Sequence, residues 1–434
     1  MIVRIERMEY GGAGVGKDVD GDGCRDTAVA LTLPGELVEF DPATGKLVRV
    51  IEASAARVMP CCPHFGVCGG CQLQHADYAV QVAGKSQILR GILEQAGFRS
   101  LPKIEIVTGQ PWGYRNRIRL RMQVVDGSLR VGYSRRASNQ FLAIRECPIA
   151  APVVWHAAEA LLRLAADAKT RSWLERVAEV EIFAAIPDLG EPAKVQICFF
   201  LADSEAARRQ PFAELCERLK ALLPELAGAS AEIDPEAGRR LRRSWPGAKW
   251  SADGLVYSVG EARYWVTRGA FFQVNRFLVS EMLSLVSAGR SGALAWDLFA
   301  GVGLFSRVLA ANFTKVVAVE GNPVAAADLA RLAKNVDAVH QPTLDFLRRA
   351  VLERDRPELV VLDPPRAGAG PEACALLGRI APAFIVYVSC DALSLARDLA
   401  VLLRSGYTLE RVCLIDMFPQ TLHIETIVWL RRTL

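Results

Sequence analysis

No uncharged run in these 434 residues is long enough to cross a bilayer, which excludes a helical membrane protein. The N-terminal stretch MIVRIERMEY lacks the apolar core that a signal peptide needs, so the chain is expected in the cytoplasm. No internal repeat or low-complexity tract is visible, which argues against repeat architectures. Charge of one sign is not in large excess. The net charge is +4, which allows a nucleic-acid partner but does not argue for one. With 51% hydrophobic and 23% charged residues, the composition is that of a folded globular protein. The length implies two or three domains. Cysteine is plentiful, with 11 residues. A disulfide framework is not expected in a reducing compartment, so metal binding or catalysis becomes the better use of these thiols.

Residues 1–59 alternate short apolar runs with turn residues. TAVALTLPGELVEF and GKLVRVIEA read as strands of a small β-barrel, the alternative being a flexible arm. Residues 60–250 form a second region. It opens on the knuckle CCPHFGVCGGCQLQH and continues into a helix over residues 78–96. In WGYRNRIRLRMQVVDGSLRVGYSRR, an Asp126-Gly127 turn joins two strands. The period of two puts Arg115, Arg117, Arg119 and Arg121 on one face and Ile118, Leu120 and Met122 on the other. Acids are absent from residues 112–125, so the arginines need another anion, RNA phosphate, or else lie on a solvated edge strand. Helical patterns near residues 155–166 and 212–223 flank the strand-like KVQICFFLA, and the basic run GRRLRRSWPGAK reads as solvated surface.

Residues 251–434 change register. The strands ALAWDLF, KVVAVEG, LVVLDPP and FIVYVSC alternate with helical stretches, which implies a parallel sheet covered on both faces. Ligands in such sheets sit at the carboxyl ends of the strands. The first strand is followed by Phe299-Ala300-Gly301-Val302-Gly303. A third glycine is missing where Leu304 and Ser306 stand, which disfavours a nicotinamide cofactor. Glu320 ends the second strand, where an acid can accept both hydroxyls of a ribose. A shortened glycine loop with this acid resembles methyltransferases that use S-adenosylmethionine. Two prolines after Asp363 stiffen the third exit and aim that acid into the crevice. Cys390 ends the fourth strand just ahead of a helix, a setting that favours a thiolate. HIETIVWLR follows the tight MFPQTL link and is expected to run antiparallel, which brings Glu425 beside Cys390 and Asp363.

Cys62, Cys68 and Cys71 lie close together, with Gly69 and Gly70 allowing the chain to wrap tightly. Such spacing points to a metal or a cluster, with Cys147 of RECPIA the chosen fourth ligand and Cys61 a competitor of Cys62. Spacing alone does not separate zinc from iron–sulfur. His64 and His75 read as hydrogen-bonding residues.

CPHFGVCGGCQLQH, ECPIA, FFQVN, DLFAGVG, LDPPRAG, YVSCDALSLARD and FPQTLHIE occur in this order. Together they resemble the RNA uridine-5-methyltransferases, above all the iron–sulfur branch that acts on ribosomal RNA. The resemblance spans nearly the whole chain. It implies a TRAM-type barrel of OB character (1–59), a central α+β iron–sulfur and RNA-binding domain (60–250) and a Rossmann-like methyltransferase domain (251–434). It implies a 4Fe–4S cluster on Cys62, Cys68, Cys71 and Cys147. Gln273, Phe299, Gly301, Glu320 and Asp363 would contact S-adenosylmethionine or the target base, with Cys390 as nucleophile and Glu425 as base. The expected partner is structured RNA, 23S rRNA ahead of tRNA, met by a monomer. Two departures stand out: Asp391-Ala392 replaces the usual Asn-Pro after the nucleophile, and Leu304 replaces a residue that is often polar. Rival readings are a methyltransferase acting on a base nitrogen or a protein, and a catalytically silent RNA-binding relative.

Overall fold

The computed structural model describes residues 1–19, 26–187, 191–201, 209–233 and 245–433. The solvated-surface reading of GRRLRRSWPGAK falls mostly on residues 238–244, outside this set.

The first sheet has 5 strands, Ile2–Met8, Ala13–Asp18, Asp26–Ala30, Leu37–Asp41 and Lys46–Glu52. Their spatial order is third, second, first, fourth, fifth, and every pairing is antiparallel. Alternation along the strands buries Val3, Ile5, Val29, Val38 and Phe40 together. The two edge strands approach each other without ladder pairing, so the sheet is a curled half-barrel rather than a closed one.

The second sheet has 7 strands, in the order Trp245–Ser251, Leu226–Ile233, Lys194–Leu201, Val177–Ala185, Arg117–Val125, Ser128–Ser134 and Phe141–Ala143. Helices Pro152–Leu164 and Arg209–Leu222 pack on it over the face that holds Ile118, Leu120 and Met122. Asp126 (φ 48°) and Gly127 (φ 68°) both take the left-handed conformation that a two-residue hairpin turn requires.

The arginine stripe belongs to neither of its two expected settings. Its strand lies inside the sheet; the neighbouring strand supplies the anions and one ring, and the strand beyond it supplies another. Arg119 donates to Glu179 at 2.5 Å and lies 3.6 Å from the centre of the Phe200 ring. Arg117 pairs with Glu181 at 3.8 Å, covers Phe183 and donates to the Ala270 carbonyl. Arg121 donates to the Asn139 carbonyl at 2.7 Å. For Arg117 and Arg119, carboxylates from Val177–Ala185 therefore take the role assigned to RNA phosphate.

The third sheet has 8 strands. Val336–His340, Phe313–Glu320, Gly292–Leu298, Leu359–Leu362 and Phe384–Ser389 are parallel. Glu425–Arg432 is inserted antiparallel between Phe384–Ser389 and Tyr407–Ile415. Ile104–Val107, far upstream, adds the last strand, parallel to Tyr407–Ile415. Helix Tyr78–Gln95 packs nearby and sends Lys85 to Asp416 at 2.6 Å, an ion pair fully buried at the start of the link to the last strand. No helix among the described residues is long and apolar enough to cross a membrane.

Candidate active site

The antiparallel insertion fixes the centre of the site. Ser389 pairs with Thr426, so Cys390, one residue past its strand, lies opposite Glu425, the first residue of the last strand. Asp391 caps helix Ala392–Arg404, accepting from the Ser394 amide at 2.7 Å. Ser389 Oγ donates to the Asp391 carbonyl at 3.0 Å, which closes a tight turn around Cys390.

The neighbouring strand exits supply the rest. Asp363 follows Leu359–Leu362, and Gln273 Nε2 donates to it at 3.4 Å. Gln273 is itself fixed, because the Asn116 side chain donates to its carbonyl at 3.0 Å. Phe299 adopts a left-handed φ of 61° after the first parallel strand, a strained turn for a non-glycine residue. Gly301, also left-handed at 57°, donates its amide to Glu320 Oε2 at 2.8 Å, and the Asn322 amide donates to Oε1 at 2.6 Å. Glu320 thus holds the glycine loop with one oxygen and its own strand exit with the other, and each oxygen retains lone pairs for a ligand. Gly303 begins the next helix, and a Cβ there would meet Leu332 at 2.2 Å. Leu304 is buried in the apolar core.

The site is rich in buried acid. Burial pushes Asp297 up to about 7 against the hydrogen bond from Ser306. Burial and the charge of Asp297 raise Asp363 to about 7. Burial, then Asp363, holds Glu425 well above the usual carboxylate range. Burial, with Glu425 and Asp363, pushes the Cys390 thiol up to about 11, while Arg366 pulls it down. Desolvation and the two nearby acids thus oppose the helix N-terminus, which favours a thiolate at Cys390. Asp391 is not among the groups that raise it.

Three neighbours were absent from the sequence reading. Arg366 is the cation that bears on Cys390, Glu425 and Asp391. His423 lies 3.4 Å from the Arg366 guanidinium. Tyr10, from the first sheet, donates to Asp391. Arg366 could have been found from its place right after the Asp-Pro-Pro exit; Tyr10 carried no local signal.

A second cluster of thiols lies elsewhere. Cys62, Cys68, Cys71 and Cys147 line one cavity with Arg115, Tyr133, Gln74 and Glu146; Cys61 does not. The cavity measures about 70 Å³, several times the roughly 10–15 Å³ that one water needs. Burial raises all four thiols, Cys71 to about 12. The Gly70 amide approaches Cys68 Sγ at 3.4 Å, and Tyr133 Oη lies 3.9 Å from Cys147 Sγ. His64 accepts from the Arg145 amide at 2.9 Å, the hydrogen-bonding role expected of it. Among the described residues, no three His, Cys, Asp or Glu side chains are grouped so as to hold a single metal ion.

A family model described as tRNA (Uracil-5-)-methyltransferase matches residues 253–433. The 23S rRNA (uracil(1939)-C(5))-methyltransferase RlmD of Dechloromonas aromatica is 32% identical, over 98% of this chain and 98% of its own. The RlmD of Edwardsiella ictaluri is also 32% identical, over 98% of this chain and 94% of its own. Among solved structures, the Pyrococcus abyssi tRNA (uracil-54, C5)-methyltransferase, in complex with S-adenosyl-L-homocysteine, superposes with a TM-score of 0.73. That likeness covers 99% of this chain and 100% of the other at 21% identity, and it is one of fold.

Proposed function

The chain belongs to the RNA uracil-5-methyltransferase family, and from that premise we propose that it methylates carbon 5 of a uridine in 23S rRNA. The relatives named above act on that RNA, and the match covers 98% of this chain. We assign the reaction to the cytoplasm.

One observation carries the chemistry: a thiol, a buried carboxyl and a cation meet at the carboxyl edge of the sheet, beside the glycine loop. Carbon 5 of uracil is a poor nucleophile. Cys390 gives up its proton to water and adds as the thiolate to carbon 6, and the electron pair moves to carbon 5 as an enolate, which takes the methyl group. S-adenosylmethionine supplies an electrophilic methyl group on a cationic sulfur. Gln273, Phe299, Gly301, Glu320 and Asp363 would hold that co-substrate and the base. Glu425 then takes the proton from carbon 5, and elimination releases Cys390 and restores the ring. Arg366 favours the charged forms of both Cys390 and Glu425, which offsets part of the burial that opposes them. A uridine inside folded RNA reaches this edge only when flipped out of its stack.

The thiol cavity suits a 4Fe–4S cluster on Cys62, Cys68, Cys71 and Cys147. It offers four thiol donors around a space larger than one ion needs, with the Arg115 cation on its wall. Such a cluster would tie the knuckle to residue 147 and has no electron to give in this reaction.

RNA carrying 5-fluorouridine at the target tests the reading. Fluorine cannot leave as a proton does, so the enzyme should stay bonded to the RNA through Cys390 on a denaturing gel. Turnover without any such adduct would favour methylation at a nitrogen. The target itself is found by asking which 5-methyluridine disappears from cellular RNA when the gene is deleted.

A further inference from the structure

One contact joins the two ends of the chain at the nucleophile. Tyr10 lies in the turn between strands Ile2–Met8 and Ala13–Asp18, and its hydroxyl donates to Asp391 Oδ2 at 2.6 Å. Gly12, in the same turn, abuts the other catalytic segment: a Cβ there would come within 3.3 Å of Leu422 Cβ. The turn thus lies against both segments that carry the reactive pair, Cys390 on one and Glu425 on the other.

Both oxygens of Asp391 are engaged. One oxygen caps the helix at Ser394, and the other takes the Tyr10 hydroxyl. Burial raises Asp391, but these hydrogen bonds outweigh it and hold the carboxyl below its ordinary range. It is therefore an anion next to a thiol that must itself become an anion. The charged and titratable groups around Cys390 are Glu425, Asp363, Arg366, Asp391 and Tyr10. Burial and Asp391 keep the Tyr10 phenol protonated, so it acts only as a donor to the carboxylate.

We propose that Tyr10 is a positioning residue for Cys390: by binding Asp391 it fixes the Ser389–Cys390–Asp391 turn from the N-terminal sheet and directs the Asp391 charge away from the sulfur. The N-terminal sheet is then part of the catalytic centre. This inference rests on the reading of Cys390 as the nucleophile.

The test uses the full chain and the variants Tyr10→Phe, Asp391→Asn and the double variant. Phenylalanine keeps the ring and removes only the donor. Alkylation of Cys390 by iodoacetamide, followed by peptide mass spectrometry, reports on the sulfur without RNA or methyl donor. Tyr10→Phe should move the pH profile of alkylation up by about one unit, which is about tenfold slower reaction at a fixed pH below the midpoint. Its kcat should fall by about the same factor, with KM for RNA within about twofold. In the Asp391→Asn background, where no charge needs a donor, Tyr10→Phe should change either rate by no more than about twofold. A wild-type alkylation profile in Tyr10→Phe overturns the proposal, and so does an equal loss in both backgrounds. A wild-type enzyme that alkylates at Cys390 but never traps fluorouridine RNA would instead sink the functional reading, and the alkylation series would still decide the role of Tyr10.

Discussion

The two thiol sites of this molecule use the same residue type under opposite surroundings. Four cysteines line the cavity, with Arg115 on the wall. In the crevice, one cysteine faces the carboxyls of Glu425 and Asp363, with Arg366 as the opposing cation. Burial raises the thiols in both places. What differs is what can relieve it. Several thiols around one space can share a metal centre, which replaces their protons. A lone thiol among acids has only its nearby cation and whatever the substrates bring. Spacing points to the cavity and a strand end points to the crevice, and the neighbours set what each thiol can do.

The largest expected effect tests the crevice. Cys390→Ala should abolish the RNA adduct and lower turnover by about 10⁴-fold or more. Glu425→Gln should fail differently: addition and methyl transfer proceed, the carbon 5 proton has no acceptor, and a covalent complex accumulates on unmodified RNA. If Cys390→Ala retains activity, the contrast between the two thiol sites collapses.

The next effect tests the cavity. Anaerobically purified protein should be brown, and alanine at Cys62, Cys68, Cys71 or Cys147 should remove colour and iron together. Cys61→Ala should keep both, because Cys61 does not line the cavity. Stoichiometric zinc without iron would overturn the cluster assignment.

A smaller effect separates the two cations. Arg366→Met removes the positive charge that lowers Cys390. The thiol should then titrate higher still, so alkylation at neutral pH should slow by about tenfold, with the profile displaced to higher pH. The sign is diagnostic: a displacement to lower pH would mean that Arg366 acts on the carboxyls first. Asp297→Asn tests the same acidity through stability. The folded value of Asp297, about 7, lies above the ordinary carboxylate value of 3.8, so its contribution to stability is full at low pH and lost as pH rises between those values. The asparagine variant should lose less stability than wild type over that window in urea titrations, by up to roughly 4 kcal/mol.

Much of the crevice was legible because its chemistry sits at strand ends, and strand ends are marked by sequence. The parallel strands, the antiparallel return at Glu425–Arg432 and the Asp126-Gly127 turn all follow from periodicity and turn residues. What was not legible is long-range pairing. Nothing local in IEIV says that residues 104–107 will extend a sheet formed some two hundred residues later. Tyr10 and Asp391 are 381 positions apart. The setting of Cys390 divides in the same way: the helix start that favours a thiolate is local, whereas the burial and the approach of Asp363 and Glu425 that oppose it are tertiary.

The arginine stripe is the sharpest case, and it yields the smallest effect. Residues 112–125 hold no acid, so the sequence suggests an external anion. The anions are internal, on a strand about sixty residues away, and Arg115 alone of the four turns to the thiol cavity. Arg119→Met should therefore cost stability rather than RNA affinity. The guanidinium is 22% exposed and Glu179 only 7%, so the substitution removes a cation from beside a nearly buried carboxylate and takes a stacked partner from Phe200. A loss of about 1–3 kcal/mol in urea unfolding is expected. Glu179→Gln in the same chain should recover part of it, because the carboxylate that needed the cation is then neutral. The dependence of RNA affinity on salt should keep its slope, since no phosphate contact and no released counterion is lost. A flatter slope in Arg119→Met would mean that this face does meet RNA, and Arg115 could no longer be set apart from its neighbours on the strand.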